Sequence, residues 1–382
     1  MNIVNRNDDI AGIRNLIRVF PVTAILGPRQ CGKTFLAKRI EHGYYFDLEN
    51  PRDIAKLENP QINLENLAGT IIIDEVQRNP LLFPLIRYLV DNNKKQRYIL
   101  LGSASLDLIK NSSESLAGRI GYYDLGGFSI FDTKETNLRK LWLRGSFPLS
   151  YLSKNERDSL VWRDNYIRTF LERDIPQLGI NIPSATLRRF WTMICHYHAQ
   201  VVNYSEIGRS FGISDMTVRK YIDILKNTYM IRVVEPWYVN IGKRLVKRPK
   251  LYLRDSGILH SLLSITNIDE LLSHNKLGAS WEGFAFENVA KSIAKRNEEL
   301  FFWSTHTGTE VDLFWQHKGK NWAVEFKYSD APSMTRSMHA ALEDLDLSHL
   351  WIVYPGKEDY KLSQRITVRA LQNIKSSWEY KT

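Results

Sequence analysis

The chain has 382 residues, 43% hydrophobic and 25% charged, with a formal net charge of +10 and a pI near 9.3. This is long enough for two or three domains with cores of their own, in the composition of a soluble globular protein. No apolar run approaches the roughly 18 residues of a membrane span, and two cysteines, Cys31 and Cys195, exclude a disulfide framework. The polar first residues, Met1 to Arg6, carry no signal-peptide core, so a reducing cytoplasm is the expected location. The positive charge permits a polyanionic partner without demanding one.

Residues 1 to about 20 read as a helix leading into a buried strand, Val22 to Leu26. Then comes Gly27-Pro28-Arg29-Gln30-Cys31-Gly32-Lys33-Thr34, an unbroken G-x-x-x-x-G-K-T phosphate loop, with a helix expected from Phe35 onward. Two glycines let the backbone curl so that its N–H groups face an anion, and the helix N-terminus adds its positive end. Lys33 reaches β- and γ-phosphates in such a loop, and the Thr34 hydroxyl ligates Mg²⁺. ATP with Mg²⁺ is therefore the expected cofactor pair.

A short strand, Tyr44 to Leu48, and a polar stretch carrying a helix lead to Thr70-Ile71-Ile72-Ile73-Asp74-Glu75. A β-prone run ending in two acids fits a Walker B strand. There Asp74 holds the metal and Glu75 orients or deprotonates the attacking water. A helix over Pro80 to Asn92 precedes another buried strand, Arg97 to Ser103. Ser103 suits either a γ-phosphate sensor or a cap for the next segment. Strands alternating with helices imply a parallel, doubly wound sheet whose ligands bind at the strands' carboxyl ends.

Gly27-Pro28-Arg29-Gln30 with Gly32-Lys33-Thr34, Ile73-Asp74-Glu75-Val76-Gln77, Leu101 to Ser105, and Ser115-Leu116-Ala117-Gly118-Arg119 resemble the prokaryotic AAA-type ATPases that carry a C-terminal domain of unknown function. The resemblance spans nearly the whole chain and implies an oligomeric ATPase. It makes Arg119 the candidate arginine finger for a neighbouring subunit. The alternative for Arg119 is a surface ion pair.

From Phe128 to about Pro183 the pattern is helical and aromatic, the place of a lid beside the nucleotide in the resembled family. Arg168 or Arg173 could touch phosphate there, although an exposed i,i+4 charge ladder explains them as well. Residues Asn203 to about Asp255 read as a winged helix-turn-helix: helix Tyr204 to Phe211, turn Gly212-Ile213-Ser214, and recognition helix Asp215 to Thr228. Thr217, Arg219 and Lys220 face outward on that second helix. The wing loop, Lys243 to Lys250, is basic through Lys243, Arg244, Lys247 and Arg248. Such an element suits a DNA backbone, and it also serves as a lid or protein-contact module.

Beyond Leu271 a helix opening at Trp281 carries Glu282. A strand, Phe301 to Trp303, and a hairpin of Glu310 to Trp315 and Trp322 to Lys327 follow. Asp312, Glu325, Lys327 and Glu282 look like the core of a PD-(D/E)xK nuclease fold, in which carboxylates bind Mg²⁺ and the lysine activates water. Such domains also serve as binding modules. A helix near Met334 to Leu345, a strand near Leu350 to Tyr354 and a frayed end from Ser376 to Thr382 complete the chain.

The expected architecture is thus α/β: a P-loop AAA-like parallel-sheet domain over 1–130, a helical lid over 131–200, a winged helix over 201–260 and a restriction-endonuclease-like α/β domain over 261–382. The expected function is Mg²⁺-dependent ATP hydrolysis coupled to binding or remodelling of DNA, by a homo-oligomer with no membrane attachment. An ATP-gated nuclease and a nucleotide switch for protein partners remain the alternatives.

Overall fold

The computed structural model describes residues 4–103, 115–133, 138–238, 246–293, 297–306, 308–375 and 377–380. The chain divides into two compact units, Met1–Phe128 with Asn227–Tyr229, and Ser129–Lys226 with Met230–Thr382.

The first unit is built on five strands, β1 (Val22–Gly27), β2 (Tyr44–Asp47), β3 (Gly69–Asp74), β4 (Gln96–Ser103) and β5 (Ile120–Asp124). They lie in the order β2-β3-β4-β1-β5 with every pairing parallel. Both faces are covered, which is why the strands read as unbroken apolar runs. Ile71 and Ile73 of β3 pack with Leu82, Phe83, Ile86 and Leu89 of α3 (Leu82–Asn92). Ile72 points the other way, into a cluster with Ile13 of α1 (Asn7–Val19) and Leu36, Ala37 and Ile40 of α2 (Lys33–Ile40). The polar stretch after β2 holds two short helices, Pro51–Lys56 and Pro60–Glu65, where the sequence suggests one. Pro60 at a helix start explains the break, since proline lacks the N–H to continue the preceding turn.

The second unit is a mixed nine-stranded sheet flanked by helices. Its strands are β6 (Gln200–Val201), β7 (Ile231–Pro236), β8 (Lys250–Leu253), β9 (Phe301–Ser304), β10 (Glu310–His317), β11 (Lys320–Phe326), β12 (Leu347–Tyr354), β13 (Tyr360–Lys361) and β14 (Ile366–Ala370). The order is β13-β14-β12-β11-β10-β9-β7-β8-β6. Parallel pairing of β7 with β9 joins the β6–β8 hairpin region to the C-terminal strands, so one sheet runs across residue 260.

Two helices of this unit, α4 (Glu156–Thr169) and α5 (Ser184–His196), share a core with the helix-turn-helix segment, α6 (Tyr204–Phe211) and α7 (Asp215–Asn227). Tyr166, Phe170, Trp191 and Ile194 pack with Ile207, Val218, Ile222 and Leu225 in that core. The helix carrying Glu282, α8 (Leu277–Ile293), starts four residues before Trp281. On the far side, α9 (Arg336–Asp344) puts Met338, Ala341 and Leu342 against β10 and β12.

The chain end corrects the sequence reading. Residues 376, 381 and 382 lie outside the described residues. Trp378, however, is buried against Trp315 and Trp351 and donates its backbone N–H to Ser292 O at 3.0 Å. Tyr380 stacks on His317 with ring centres 4.1 Å apart. A polar tail reads as frayed, but its two aromatic side chains have a prepared surface of tryptophans. Trp351 is at the centre of that surface, 5.0 Å from Trp378 and 5.5 Å from Trp322 by ring centres. Trp351→Ala should cost about 3–5 kcal/mol, and Leu81→Ala, which trims a residue 80% exposed, no more than about 0.5 kcal/mol. Urea denaturation of the two variants checks the contrast.

Candidate functional site

The loop from Gly27 to Lys33 leaves the carboxyl end of β1 and enters α2. Two of its residues adopt positive φ, Gln30 at 62° and Gly32 at 99°. A Cβ on Gly27 would lie 2.0 Å from the carbonyl oxygen of Leu125, so only glycine lets the loop pass the segment after β5. Cys31 points inward and donates its thiol to Leu125 O at 3.4 Å. Lys33, 6% exposed, arches over the loop and donates to Gly27 O and Pro28 O, each at 2.9 Å. Phe35 turns its ring outward, 54% exposed. Arg29 pairs with Glu49 at 3.4 Å.

Parallel pairing brings the end of β3 beside this loop. The Thr34 hydroxyl donates to Asp74 Oδ2 at 2.6 Å. The same oxygen accepts from the Tyr45 hydroxyl at 2.9 Å, and the Lys38 ammonium lies over the Tyr45 ring, 3.6 Å from its centre. Burial, and then the Asp74 charge, hold the Tyr45 hydroxyl protonated far above the usual phenol range. Tyr45 is a residue that the sequence reading missed. Its signal is its place on β2, two residues before the strand's end at Asp47, which pairs with Asp74. Hard oxygen donors, Thr34 and Asp74, beside a lysine and a curled loop form a donor set that fits a magnesium–nucleotide complex.

Glu75 takes a left-handed backbone, φ 54°, uncommon for a residue with a side chain. Its N–H donates to Asp74 Oδ1 at 3.0 Å. Its carboxylate accepts from the Ser103 hydroxyl at 3.1 Å and from the Gln77 amide, which also reaches Ser103 Oγ at 3.2 Å. Gln77 is a second residue absent from the sequence-based set, although it closes the Ile73 to Gln77 motif. Arg6 is a third. Buried at 5% exposure, its guanidinium donates to Asp9, to Cys31 O at 2.9 Å, and to Gly126 O and Gly127 O at 3.0 and 3.1 Å. It seats the phosphate loop against the strand-end segment, and nothing in the sequence around Arg6 marks it for that.

Arg119 is not brought to this loop. Its carbonyl accepts from Val22 N at 3.1 Å, at the amino end of β1. Its guanidinium grips Asp91 with two bonds of 2.7 and 2.8 Å. Five strand residues separate it from Gly27, about 16 Å at the usual strand rise.

The second unit gathers its own acidic cluster. Asp312 on β10, Glu282 on α8 and Glu310 on β10 converge on the ammonium of Lys250, at 3.0 Å from Asp312 and 3.3 Å from Glu282, with Glu310 in closest contact. Asp312 also accepts from Phe326 N at 2.9 Å, and Glu282 from the Tyr252 hydroxyl at 2.7 Å. Lys327 pairs with Glu325 at 2.7 Å. The sequence reading puts Lys250 where the basic loop meets the second wing strand, and does not mark it as buried. It is 2% exposed on β8. Its neighbours Lys247 and Arg248 are exposed, as expected, whereas Lys243 and Arg244 lie outside the described residues. Burial works against the Lys250 charge, but Glu282, Tyr252, Asp312 and Glu310 more than reverse this and keep it protonated. Glu282 and Glu325 are each pushed up to about 8, by burial first and by the Asp312 charge second.

On the helix-turn-helix, Ser214 Oγ caps α7 by accepting from Thr217 N at 3.2 Å. Thr217 is half-buried, and Arg219 and Lys220 are exposed. Arg219 lies over the Tyr204 ring at 5.0 Å. Arg168 forms an exposed i,i+4 pair with Glu172 at 3.1 Å.

Comparison with known proteins adds the family. Two mycobacterial proteins, uncharacterized protein Rv2008c of Mycobacterium tuberculosis and uncharacterized protein Mb2031c of Mycobacterium bovis, are each 44% identical to this chain over 368 residues, 95% of it and 83% of theirs. The chain belongs to their family. Residues 19–133 match the family described as AAA domain, 135–269 a domain of unknown function (DUF8612), and 277–374 a domain of unknown function (DUF4143). The first unit is therefore a P-loop domain of the AAA ATPase type, and the resemblance read from its motifs holds at that level. The Walker-type ATPase of Pyrococcus abyssi is similar at 16% identity and a TM-score of 0.49, covering 68% of this chain and 96% of that one. Among the described residues no helix is long and apolar enough to cross a membrane.

The acidic cluster of this AAA-family chain has a pH signature. Glu325 carries a folded value near 8 against an ordinary 4.5. Between those values the folded state binds more protons than the unfolded state, so the stability this group contributes falls as pH rises through the window. The slope is at most about 1.4 kcal/mol per pH unit for one group. Glu325→Gln should flatten the decline in melting temperature between pH 5 and 8. Identical slopes for the variant and the parent chain would contradict the placement of Glu325.

Proposed function

We propose that this chain is a Mg²⁺-dependent ATPase that couples hydrolysis to binding or remodelling of DNA. The observation that carries the catalytic part is the 2.6 Å contact between Thr34 and Asp74, with Glu75 the next residue on the chain. In this reading the backbone N–H groups from Arg29 through Thr34 receive the phosphates, and Lys33 turns from the loop carbonyls to the β- and γ-oxygens. Thr34 and Asp74 would hold Mg²⁺, which would supply positive charge against the phosphates. Glu75 positions the attacking water, and Ser103 and Gln77 hold its carboxylate in line. Arg119 faces a neighbouring copy and serves that copy's site, which makes the working form a homo-oligomer.

The DNA part rests on chemistry at the surface. Arg219, Lys220, Lys247 and Arg248 are exposed on a helix-turn-helix followed by a β-hairpin, in a chain of net charge +10. That arrangement supports reading the region as a winged helix whose recognition helix and wing would meet phosphates. The C-terminal strands and α8 resemble a restriction-endonuclease-like core used for binding. A nuclease reading is disfavoured because Lys250 already engages the carboxylates that would take the metal. A protein-binding switch predicts no response to DNA.

DNA-stimulated ATP turnover is the measurement that joins the two parts. Lys33→Ala should abolish turnover, and Glu75→Gln should lower kcat by about 10²–10⁴ while ATP binding persists. Turnover that survives Lys33→Ala removes the ATPase assignment. For the DNA part, Lys247→Ala with Arg248→Ala should make the slope of log affinity against log salt shallower by about 0.9 for each phosphate left without its cation. Binding that ignores salt speaks against a wing that engages phosphates.

A further inference from the structure

The acidic cluster of the second unit contains the residue types of a metal-dependent nuclease, but a cation of the chain itself stands among them. Lys250 Nζ lies 3.0 Å from Asp312 Oδ1 and 3.3 Å from Glu282 Oε1, and it touches Glu310. Two of these carboxylates have a further partner: Asp312 Oδ2 accepts from the Phe326 amide and Glu282 Oε1 from the Tyr252 hydroxyl. The lysine is 2% exposed, unlike a surface side chain. It is on β8, whose backbone is paired on both sides, Lys250 with Val201 of β6 and with Val234 of β7. Its ammonium is 5.7 Å from the Phe302 ring centre. One buried carboxylate oxygen, Glu325 Oε2, has no partner among the described residues. Its other oxygen, Oε1, is held by Lys327 at 2.7 Å, so a second cation of the chain stands beside the cluster.

We infer that the Lys250 ammonium is the resident cation of the Glu282, Glu310 and Asp312 cluster, so that this centre is a metal-free structural clamp and does not cleave phosphodiesters. The physical reason is electrostatic. A divalent ion placed among the same oxygens would stand beside a buried positive charge and be repelled by it. The cluster then serves cohesion. It ties β8 of the hairpin region to α8 and β10 of the C-terminal strands through charge-assisted bonds. A lysine can act as such an internal counter-ion because its stem packs against apolar surface while the ammonium reaches the acids.

The nucleotide-free chain, titrated with Mn²⁺ by calorimetry and followed by electron paramagnetic resonance, tests this without involving the P-loop chemistry. The unaltered chain should take up no stoichiometric Mn²⁺ that depends on Asp312, and it should leave single- and double-stranded DNA and RNA intact in Mg²⁺ or Mn²⁺. Lys250→Met should bind about one Mn²⁺ per chain and gain a Mn²⁺-dependent rise in melting temperature. Lys250→Arg, which keeps the charge, should not. Stoichiometric binding by the unaltered chain that disappears in Asp312→Asn overturns the inference, as does Asp312-dependent cleavage. A folded Lys250→Met variant that gains no Mn²⁺ site also overturns it. Should that variant fail to fold, the titration of the unaltered chain decides alone. None of these outcomes bears on ATP turnover, so this inference and the ATPase reading fail separately.

Discussion

Asp74 accepts two hydroxyl hydrogen bonds on one oxygen, from Thr34 and from Tyr45. That carboxylate links β3 to α2 and β2, two elements about thirty to forty residues earlier in the chain. The link exists only because β3 lies between β2 and β4 in a parallel sheet whose strands all end on the same side. Parallel strands must be buried on both faces, and the helices that bury them start or end at that same rim. The phosphate loop, the acid pair and Ser103 therefore meet without any of them being adjacent along the chain. The left-handed Glu75 follows from the same constraint: the chain must turn sharply after Asp74 to enter the next helix, and Glu75 takes the turn.

The second unit solves a different problem with the same economy of layers. Its nine strands mix directions, and the parallel step from β7 to β9 carries the hairpin region into the C-terminal strands. Strands buried so deeply bring charged residues with them, and the protein answers by pairing them internally. Glu287 of α8 is gripped by Arg232 at 2.6 Å and by Arg254 at 3.4 Å, and Lys250 answers its three acids nearby. Buried charges are tolerated when each has a partner and the remaining lone pairs are bonded. By that criterion Glu287 and Asp312 are well held, while Glu325 Oε2 keeps no partner among the described residues.

Much of the first unit was legible in the amino-acid sequence, because its signals are local. The glycine loop between a strand and a helix, and four β-prone residues ending in Asp74 and Glu75, depend on neighbours a few positions away. Arg6, Tyr45 and Gln77 were not legible, since each matters through a partner brought in by the sheet. Lys250 is the clearest case. In sequence it ends a run of basic residues, and its charge alone suggests solvent. Only the pairing of β8 with β6 and β7 turns it inward, and no periodicity in Lys243 to Lys250 announces that. The buried chain end failed for a related reason: Trp378 and Tyr380 are isolated aromatics in a polar tail, and their surface is assembled from β10, β11 and β12.

Arg6 ties the segment ahead of α1 to the glycine loop and to the stretch after β5 in one set of contacts. Its guanidinium is shared between Asp9, the carbonyl of Cys31 and the carbonyls of Gly126 and Gly127. Trimming by a protease just beyond this arginine would strip those oxygens of their donor while leaving every strand of the sheet in place. The glycine loop would then lose its tie to the stretch after β5, with no strand residue altered. A single arginine ahead of the first helix thus acts as the loop's brace.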